Sequence, residues 1–199
     1  MMIKFIDINQ EKPYLNFKDK YELALEKGQK NIEALSISSY NPEKKEVDSR
    51  FVNLKFINDK EFVFFSNYNS PKSKAFDFHN QIAALIYWPS INVQIRMKAI
   101  IKKTTREFNN EYFKTRSPDK NSLAISSDQS QKISSYEEVV ERYNIVQKTK
   151  DLTKCPEAWG GFSFTPHYFE FWEGHQSRLN KRKVFIKRDN FWENFIIQP

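Results

Sequence analysis

Trp159-Gly160-Gly161-Phe162, followed by Phe169-Glu170-Phe171-Trp172 and Arg178-Leu179-Asn180-Lys181-Arg182, is the most specific local signal in the chain. Residues 162–172 read as a strand. Two adjacent glycines between aromatic residues mark a place where backbone passes close to a neighbour or adopts positive φ. Arg178 and Arg182 are four apart, which puts both on one face of a strand or a helix. Paired arginines beside a tryptophan suit a phosphate or a flat, electron-rich ring. A core tryptophan with two solvated arginines is the alternative, and these residues alone leave both readings open.

Working outward, short strands dominate. Residues 34–39, 50–55 and 62–65 alternate or run apolar between polar turns at 41–45 and 58–60, which predicts an antiparallel meander. Residues 82–88 read as a buried strand and Pro89-Ser90 as a turn. Residues 91–103 form a long strand with Val93, Ile95, Met97, Ala99 and Ile101 on one face and Gln94, Arg96, Lys98 and Ile100 on the other. Residues 183–187 and 191–197 add two more strands. Helical spacing appears at 17–25, stopped by Gly28, then at 70–80 after Pro71, and at 106–115. It appears last after Ser135, whose Ser-x-x-Glu pattern is a capping box opening a stripe of Tyr136, Val139, Val140, Tyr143 and Val146. Residues 1–16 read as a loose arm and 116–134 as a polar loop. A closed or partly closed antiparallel barrel is the natural way to hide so many short strands.

Composition excludes several functions. Only four of 199 residues are glycine (Gly28, Gly160, Gly161, Gly174), where an average chain would have about fourteen. Neither a G-x-G-x-x-G dinucleotide loop nor a G-x-x-x-x-G-K-[ST] phosphate loop can be written. Any phosphate must therefore be held by side chains. The single cysteine, Cys155, rules out an internal disulfide and a cysteine-based zinc site. His79, His167 and His175 lack metal-ligand spacing and read as structural, so no metal is expected. The longest apolar run, 82–88, is far too short to span a bilayer. With no secretory h-region at the N-terminus, a reducing cytoplasm is the expected compartment. The net charge is +7. Its bases concentrate in two acid-free stretches, 78–106 and 178–188. These fit either a solvated face on alternating strands or pockets for small phosphorylated ligands.

The ordered set of R-x-x-x-x-K from Arg50 to Lys55, F-F-S-N-Y-x-S-x-K from Phe64 to Lys72, Tyr112-Phe113-x-x-Arg116, Gln129-Ser130, W-G-G-F, E-F-W and R-L-x-x-R resembles the pyridoxamine 5′-phosphate oxidase family. The likeness runs from about Asn31 to Pro199. It implies a mainly β fold with inserted helices, an FMN-binding split β-barrel that is antiparallel and Greek-key-like. It also implies one domain over 1–199, with 1–30 as N-terminal arm and helix, and a homodimer with flavin at the subunit interface. The implied activity is oxidation of pyridoxamine or pyridoxine 5′-phosphate by O2 to pyridoxal 5′-phosphate and hydrogen peroxide, a step of vitamin B6 metabolism. Neither a nucleic-acid nor a membrane partner is implied.

Carried over residue by residue, the resemblance sets FMN phosphate against Arg50 and Lys72, with Ser66 and Ser130 donating hydrogen bonds. Gln94 and Gln129 would hydrogen-bond the flavin. Phe51, Val52 and Phe65 would contact it through backbone and apolar surface. Trp172 and Arg182 would come from the partner subunit. Lys55 would reach both flavin and substrate phosphate, and Tyr112 and Arg116 would hold that phosphate. Arg178 would lie over the substrate ring as the catalytic arginine, with Asn180 beside it.

Departures fall mainly on the substrate side. Ser70-Pro71-Lys72 stands where the family has S-R-K, and Asn180 where it has a histidine. Asn31 replaces an acid, residues 120–124 replace an S-Q-I-G-A loop, and Ile196-Ile197-Gln198-Pro199 replaces R-L-x-P. A substrate-phosphate serine is thereby lost or shifted to Ser122. These departures leave an FMN-binding relative with a different substrate as one alternative, and the basic stretches leave a non-enzymatic flavin- or haem-binding protein as another.

Overall fold

The computed structural model describes residues 2–199. In chain order its strands are β1 (Lys4–Ile8), β2 (Ala34–Asn41), β3 (Glu46–Asp59), β4 (Glu61–Asn67), β5 (Gln81–Trp88), β6 (Val93–Lys103), β7 (Trp159–Glu173), β8 (Lys181–Arg188) and β9 (Phe191–Ile197). Its helices are α1 (Lys12–Glu26), α2 (Pro71–Phe78), α3 (Arg106–Lys114), α4 (Pro118–Ser126) and α5 (Tyr136–Thr149). Strand pairing runs β3-β2-β5-β6-β7, and β4 bonds both β3 and β7, which closes a ring of six strands. Closure leaves the six ring strands without a free edge, while β1 and β9 each pair on one side only.

β7 is where the barrel splits. Its first half pairs with β4, from Asn67↔Trp159 to Phe62↔Phe164. Its second half pairs with β8, from Tyr168↔Ile186 to Glu173↔Lys181. Pro166 lies between the halves; proline has no N–H to give to a ladder and suits a point where pairing changes partner. On β6, Val93, Ile95, Met97, Ala99 and Ile101 are all buried, as the alternation predicts. The interior is largely aromatic. Phe62 stacks on Phe164 at 5.3 Å and Phe64 on Phe162 at 5.5 Å. Helix α1 buries Tyr14, Phe17, Tyr21 and Ala24, a helical stripe that sets Phe17 edge-on to Phe62 and Trp88.

Two segments differ from expectation. Residues 4–8 are no loose arm: β1 pairs in parallel with β3, Lys4↔Phe56 and Phe5↔Ile57. The helix after it starts at Lys12, with Pro13 in its first turn, where a missing N–H is harmless. Residues 118–126, expected as loop, form α4. The α5 cap forms as predicted, Ser135 Oγ accepting from Glu138 N at 3.2 Å, but no residue of α5 is buried. α5 instead meets α4 through polar contacts, with Tyr143 Oη and Gln147 Nε2 both donating to Asp119 Oδ1.

The paired glycines serve close approach. Gly161 N donates to Asn109 Oδ1 at 2.8 Å, Tyr68 Oη donates to Gly161 O at 3.0 Å, and Asn109 Nδ2 donates to Tyr68 Oη at 3.0 Å. This knot fixes α3 against β7. A Cβ on Gly160 would overlap Tyr68 Oη and come within 2.5 Å of Asn109 Nδ2. Gly160→Ala is therefore expected to cost about 1–3 kcal/mol, the usual range for overpacking. Thermal denaturation measures it, and an unchanged melting temperature would count against the knot.

No helix among the described residues is long and apolar enough to cross a membrane. No group of metal-ligating side chains able to hold an ion occurs among them either.

Candidate functional site

A cavity of about 790 Å³ opens between β3, β4, α2, α3 and the start of α4, within the roughly 300–1,000 Å³ typical of small-molecule sites. β3 contributes Phe51, Val52 and Lys55, and β4 contributes Phe65 and Ser66. α2 supplies Lys72, α3 supplies Tyr112, and the turns after α3 and α4 supply Arg116 and Gln129. Nine of the residues implied by the resemblance thus line one hollow.

Lys72 is the buried cation of this site, 8% exposed. Its Nζ donates to Ser66 Oγ at 3.0 Å, Ser70 Oγ at 3.1 Å and Gln129 Oε1 at 3.3 Å. Gln129 Oε1 also accepts from Ser66 Oγ and from Asn67 N. No carboxylate pairs with Lys72 among the described residues. Burial, and then the nearby charge of Arg50, hold its pKa down at about 8. A buried ammonium surrounded by hydroxyls and an amide has the chemistry to bind an anion. Arg50 is set behind it, donating to Ser39 Oγ at 2.8 Å and paired with Asp48 at 3.1 Å.

A second group of cations sits at Lys55, Arg116 and Lys120. Arg116 donates to Asn121 Oδ1 at 3.0 Å and to the Lys120 carbonyl at 3.2 Å. Its guanidinium lies 4.4 Å from the centroid of the Trp159 ring. Trp159 stacks on Phe65 at 5.0 Å, and Phe65 on Tyr112 at 4.0 Å. Burial lowers the pKa of Arg116. Burial also lowers that of Lys55, with Lys120 and Arg116 adding to the effect and Glu33 opposing it.

The other seven residues lie outside this cavity, Arg50 directly behind it and six farther off. Gln94 pairs with Trp172 across β6 and β7, and Trp172 with Arg182 across β7 and β8, so these three form one row on the outer face of the barrel. Gln94 lines a separate 490 Å³ hollow with Arg96 and Tyr168. Arg178 and Asn180 belong to the exposed loop between β7 and β8. Arg178 has φ of +60°, and Asn180 Oδ1 accepts from His175 N at 3.0 Å. Ser130, at φ +70°, faces a neighbouring surface hollow. Ser122 is fully buried and donates to Pro118 O at 3.0 Å.

Sequence reasoning missed three participants. Trp159 stands out in the sequence only as the neighbour of two glycines, but its ring is the wall between Arg116 and Phe65. Lys120, in the first turn of α4 and four residues after Arg116, also lines the cavity. Glu170 is 1% exposed. Its Oε1 accepts from Arg182 Nε at 2.9 Å and Nη2 at 2.7 Å, and its Oε2 from Arg96 Nη1 and Tyr168 Oη, each at 2.9 Å. The signal for Glu170 was there: a carboxylate between Phe169 and Phe171, on the face opposite the core.

Of the two basic stretches, much is paired with acids from other elements: Lys102 with Glu61, Lys103 with Asp77, Lys187 with Glu11 and Arg188 with Glu193. For these residues the solvated-face reading holds, and the cavity's cations come from elsewhere.

Pyridoxine/pyridoxamine 5′-phosphate oxidase 1 of Hydrogenovibrio crunogenus is 34% identical over 194 residues, covering 96% of this chain and 89% of that protein. The pyridoxine/pyridoxamine 5′-phosphate oxidase of Coxiella burnetii is 32% identical over 188 residues, 94% of this chain and 95% of that protein. This chain belongs to the pyridoxine/pyridoxamine 5′-phosphate oxidase family. Its residues 159–199 match the family described as the pyridoxine 5′-phosphate oxidase C-terminal dimerisation region. The fold is shared with PhzG from Burkholderia lata 383 (TM-score 0.90, 20% identity, 95% of this chain and 93% of that one). It is shared too with a pyridoxamine 5′-phosphate oxidase-related, FMN-binding protein of Nostoc punctiforme (TM-score 0.77, 14% identity, 92% and 97%).

Membership makes the chain an FMN-dependent oxidoreductase. Its residues fit that cofactor. The buried Lys72 with Ser66 and Gln129 suits a phosphate, and Phe51, Val52 and Phe65 offer apolar surface to a flat ring.

Proposed function

We propose that the chain oxidises pyridoxamine or pyridoxine 5′-phosphate to pyridoxal 5′-phosphate with dioxygen, as a homodimer of single 1–199 domains. The observation that carries this reading is one cavity holding two groups of cations, Lys72 near Arg50 and Lys55 near Arg116 and Lys120. Two phosphates, one on the flavin and one on the substrate, need two such groups.

In this reading Lys72, Ser66 and Gln129 hold the FMN phosphate, with Arg50 adding charge. Lys55, Tyr112 and Arg116 hold the substrate phosphate. Tyr112, stacked on Phe65, sets one wall of the substrate pocket. The row Gln94–Trp172–Arg182, together with Arg178 and Asn180, completes the partner subunit's site. The dimerisation-region match over 159–199 supports that assignment, because all of these except Gln94 fall within it. The chemistry that FMN would supply when bound is acceptance of two electrons from the substrate's C4′, with dioxygen restoring it and leaving as hydrogen peroxide; for the pyridoxamine ester, water also adds at C4′ and ammonia leaves. The chain's own contribution is orientation: two anchored phosphates fix the distance between the two rings.

A second reading keeps FMN and changes the substrate. It is favoured by Asn180, whose oxygen is committed to its own loop, and by Ser122, which is buried within α4. Anaerobic addition of pyridoxamine 5′-phosphate decides between them. The first reading expects the visible flavin absorbance to bleach. A flavin-loaded protein whose spectrum does not change would exclude the vitamer.

A further inference from the structure

We infer that Lys120 is a substrate-phosphate ligand, and that it makes this enzyme discriminate phosphorylated from unphosphorylated pyridines more steeply than Lys55, Tyr112 and Arg116 would alone. The inference rests on the vitamer reading above and deepens it. Lys120 lines the same cavity as Lys55 and Arg116. Its backbone carbonyl accepts from Arg116 Nη2 at 3.2 Å, so the two residues are fixed to one another. Its charge reaches Lys55, where it opposes protonation alongside Arg116.

Lys120 pairs with no carboxylate among the described residues. Its neighbour Asp119 is turned the other way, held by Tyr143 and Gln147 of α5. Glu33 faces Lys55 from the same cavity and offsets part of its charge, but one carboxylate among three cations leaves a net positive hollow that favours an anionic ligand. A monoanion would leave most of that repulsion in place, whereas a phosphate dianion offers several oxygens to share among the cations. Lys120 is exposed, so a fold-stabilising duty does not account for its position.

The test uses the FMN-loaded enzyme and 4-deoxypyridoxine 5′-phosphate, which has no alcohol or amine at C4′ to oxidise, with 4-deoxypyridoxine as its unphosphorylated control. Equilibrium dialysis gives both affinities for wild type, Lys120→Gln and Lys120→Arg, and flavin absorbance checks cofactor content. Lys120→Gln is expected to weaken the phosphate ester about tenfold or more, as the loss of one charge-assisted hydrogen bond does. The unphosphorylated control should be unmoved, and Lys120→Arg should recover most of the loss. Steady-state kinetics should show the same change in KM with kcat retained. Equal affinity of wild type and Lys120→Gln for the phosphate ester would overturn the inference, as would parallel loss of both compounds. If wild type binds neither compound, the vitamer reading itself fails.

Discussion

Lys72→Met is expected to yield protein that purifies largely without flavin, with FMN affinity reduced roughly ten- to a hundredfold. The range corresponds to one hydrogen bond to a charged group, about 1.5–3 kcal/mol. Methionine nearly keeps the volume, so the loss should be of charge and not of packing. The variant's fold should not suffer. Burial holds Lys72 at about 8, well below the ordinary 10.5, so in the absence of an anion its charged form is a cost to the folded state. The sign follows from proton counting. Below pH 8 the lysine is protonated folded and unfolded, and the full penalty is present. Between 8 and 10.5 the unfolded chain holds more protons, so the penalty fades as pH rises. Flavin-free wild type should therefore gain stability over that window relative to Lys72→Met. FMN affinity should move oppositely, falling in wild type as pH rises through 8 and staying flat in the variant. Denaturant titrations and flavin-fluorescence binding curves from pH 7 to about 10 measure both. Flavin retained at wild-type affinity in Lys72→Met would move the phosphate site elsewhere.

How much of this was legible in the sequence depended on whether the signal was local. Period-two alternation exposed β6, because one face is buried and the other is not, whereas β5 was legible only as an apolar run, and the structure buries just one of its two faces. The start of α4 had its signal too: Ser117 is the N-cap and Pro118 the first helical residue, the order in which helices begin. The polar run Asp119-Lys120-Asn121-Ser122 hid it. β1 was hidden for another reason. Five residues of mixed polarity become a strand only because β3 is beside them to bond with, and nothing within residues 4–8 records that. The cavity obeyed the same division. Lys55, Lys72, Tyr112 and Arg116 came from the ordered resemblance, whereas Trp159 and Lys120 join them through folding that brings β7 and α4 to the same hollow. The row Gln94–Trp172–Arg182 exists only through the register of three strands.

Glu170 shows what that register builds, and removing both of its arginines should produce the largest loss of stability. Its carboxylate is buried, with the side chain 2% exposed, while Arg96 and Arg182 are 47% and 25% exposed. The asymmetry sets the sizes. In Glu170→Gln the two guanidiniums lose a partner but keep access to water, so the cost is about 1.5–3 kcal/mol. In Arg96→Ala/Arg182→Ala a buried carboxylate keeps only the Tyr168 hydroxyl, and the cost rises to about 3–5 kcal/mol, on the order of 10 °C in melting temperature for a chain of this length. Adding Glu170→Gln to that double variant should then restore stability, because the uncompensated charge is gone. Additive losses in the triple variant would mean that the three residues do not act as a unit. Arg182 also donates to Gln198 O at 3.1 Å, so Glu170 and the C-terminal backbone together hold its guanidinium. If Arg182 serves the partner's flavin, Glu170→Gln should weaken FMN binding in the dimer as well. A double-mutant cycle of Glu170→Gln with Arg182→Ala separates that positioning effect from the loss of stability, since only positioning makes the two changes non-additive in FMN affinity.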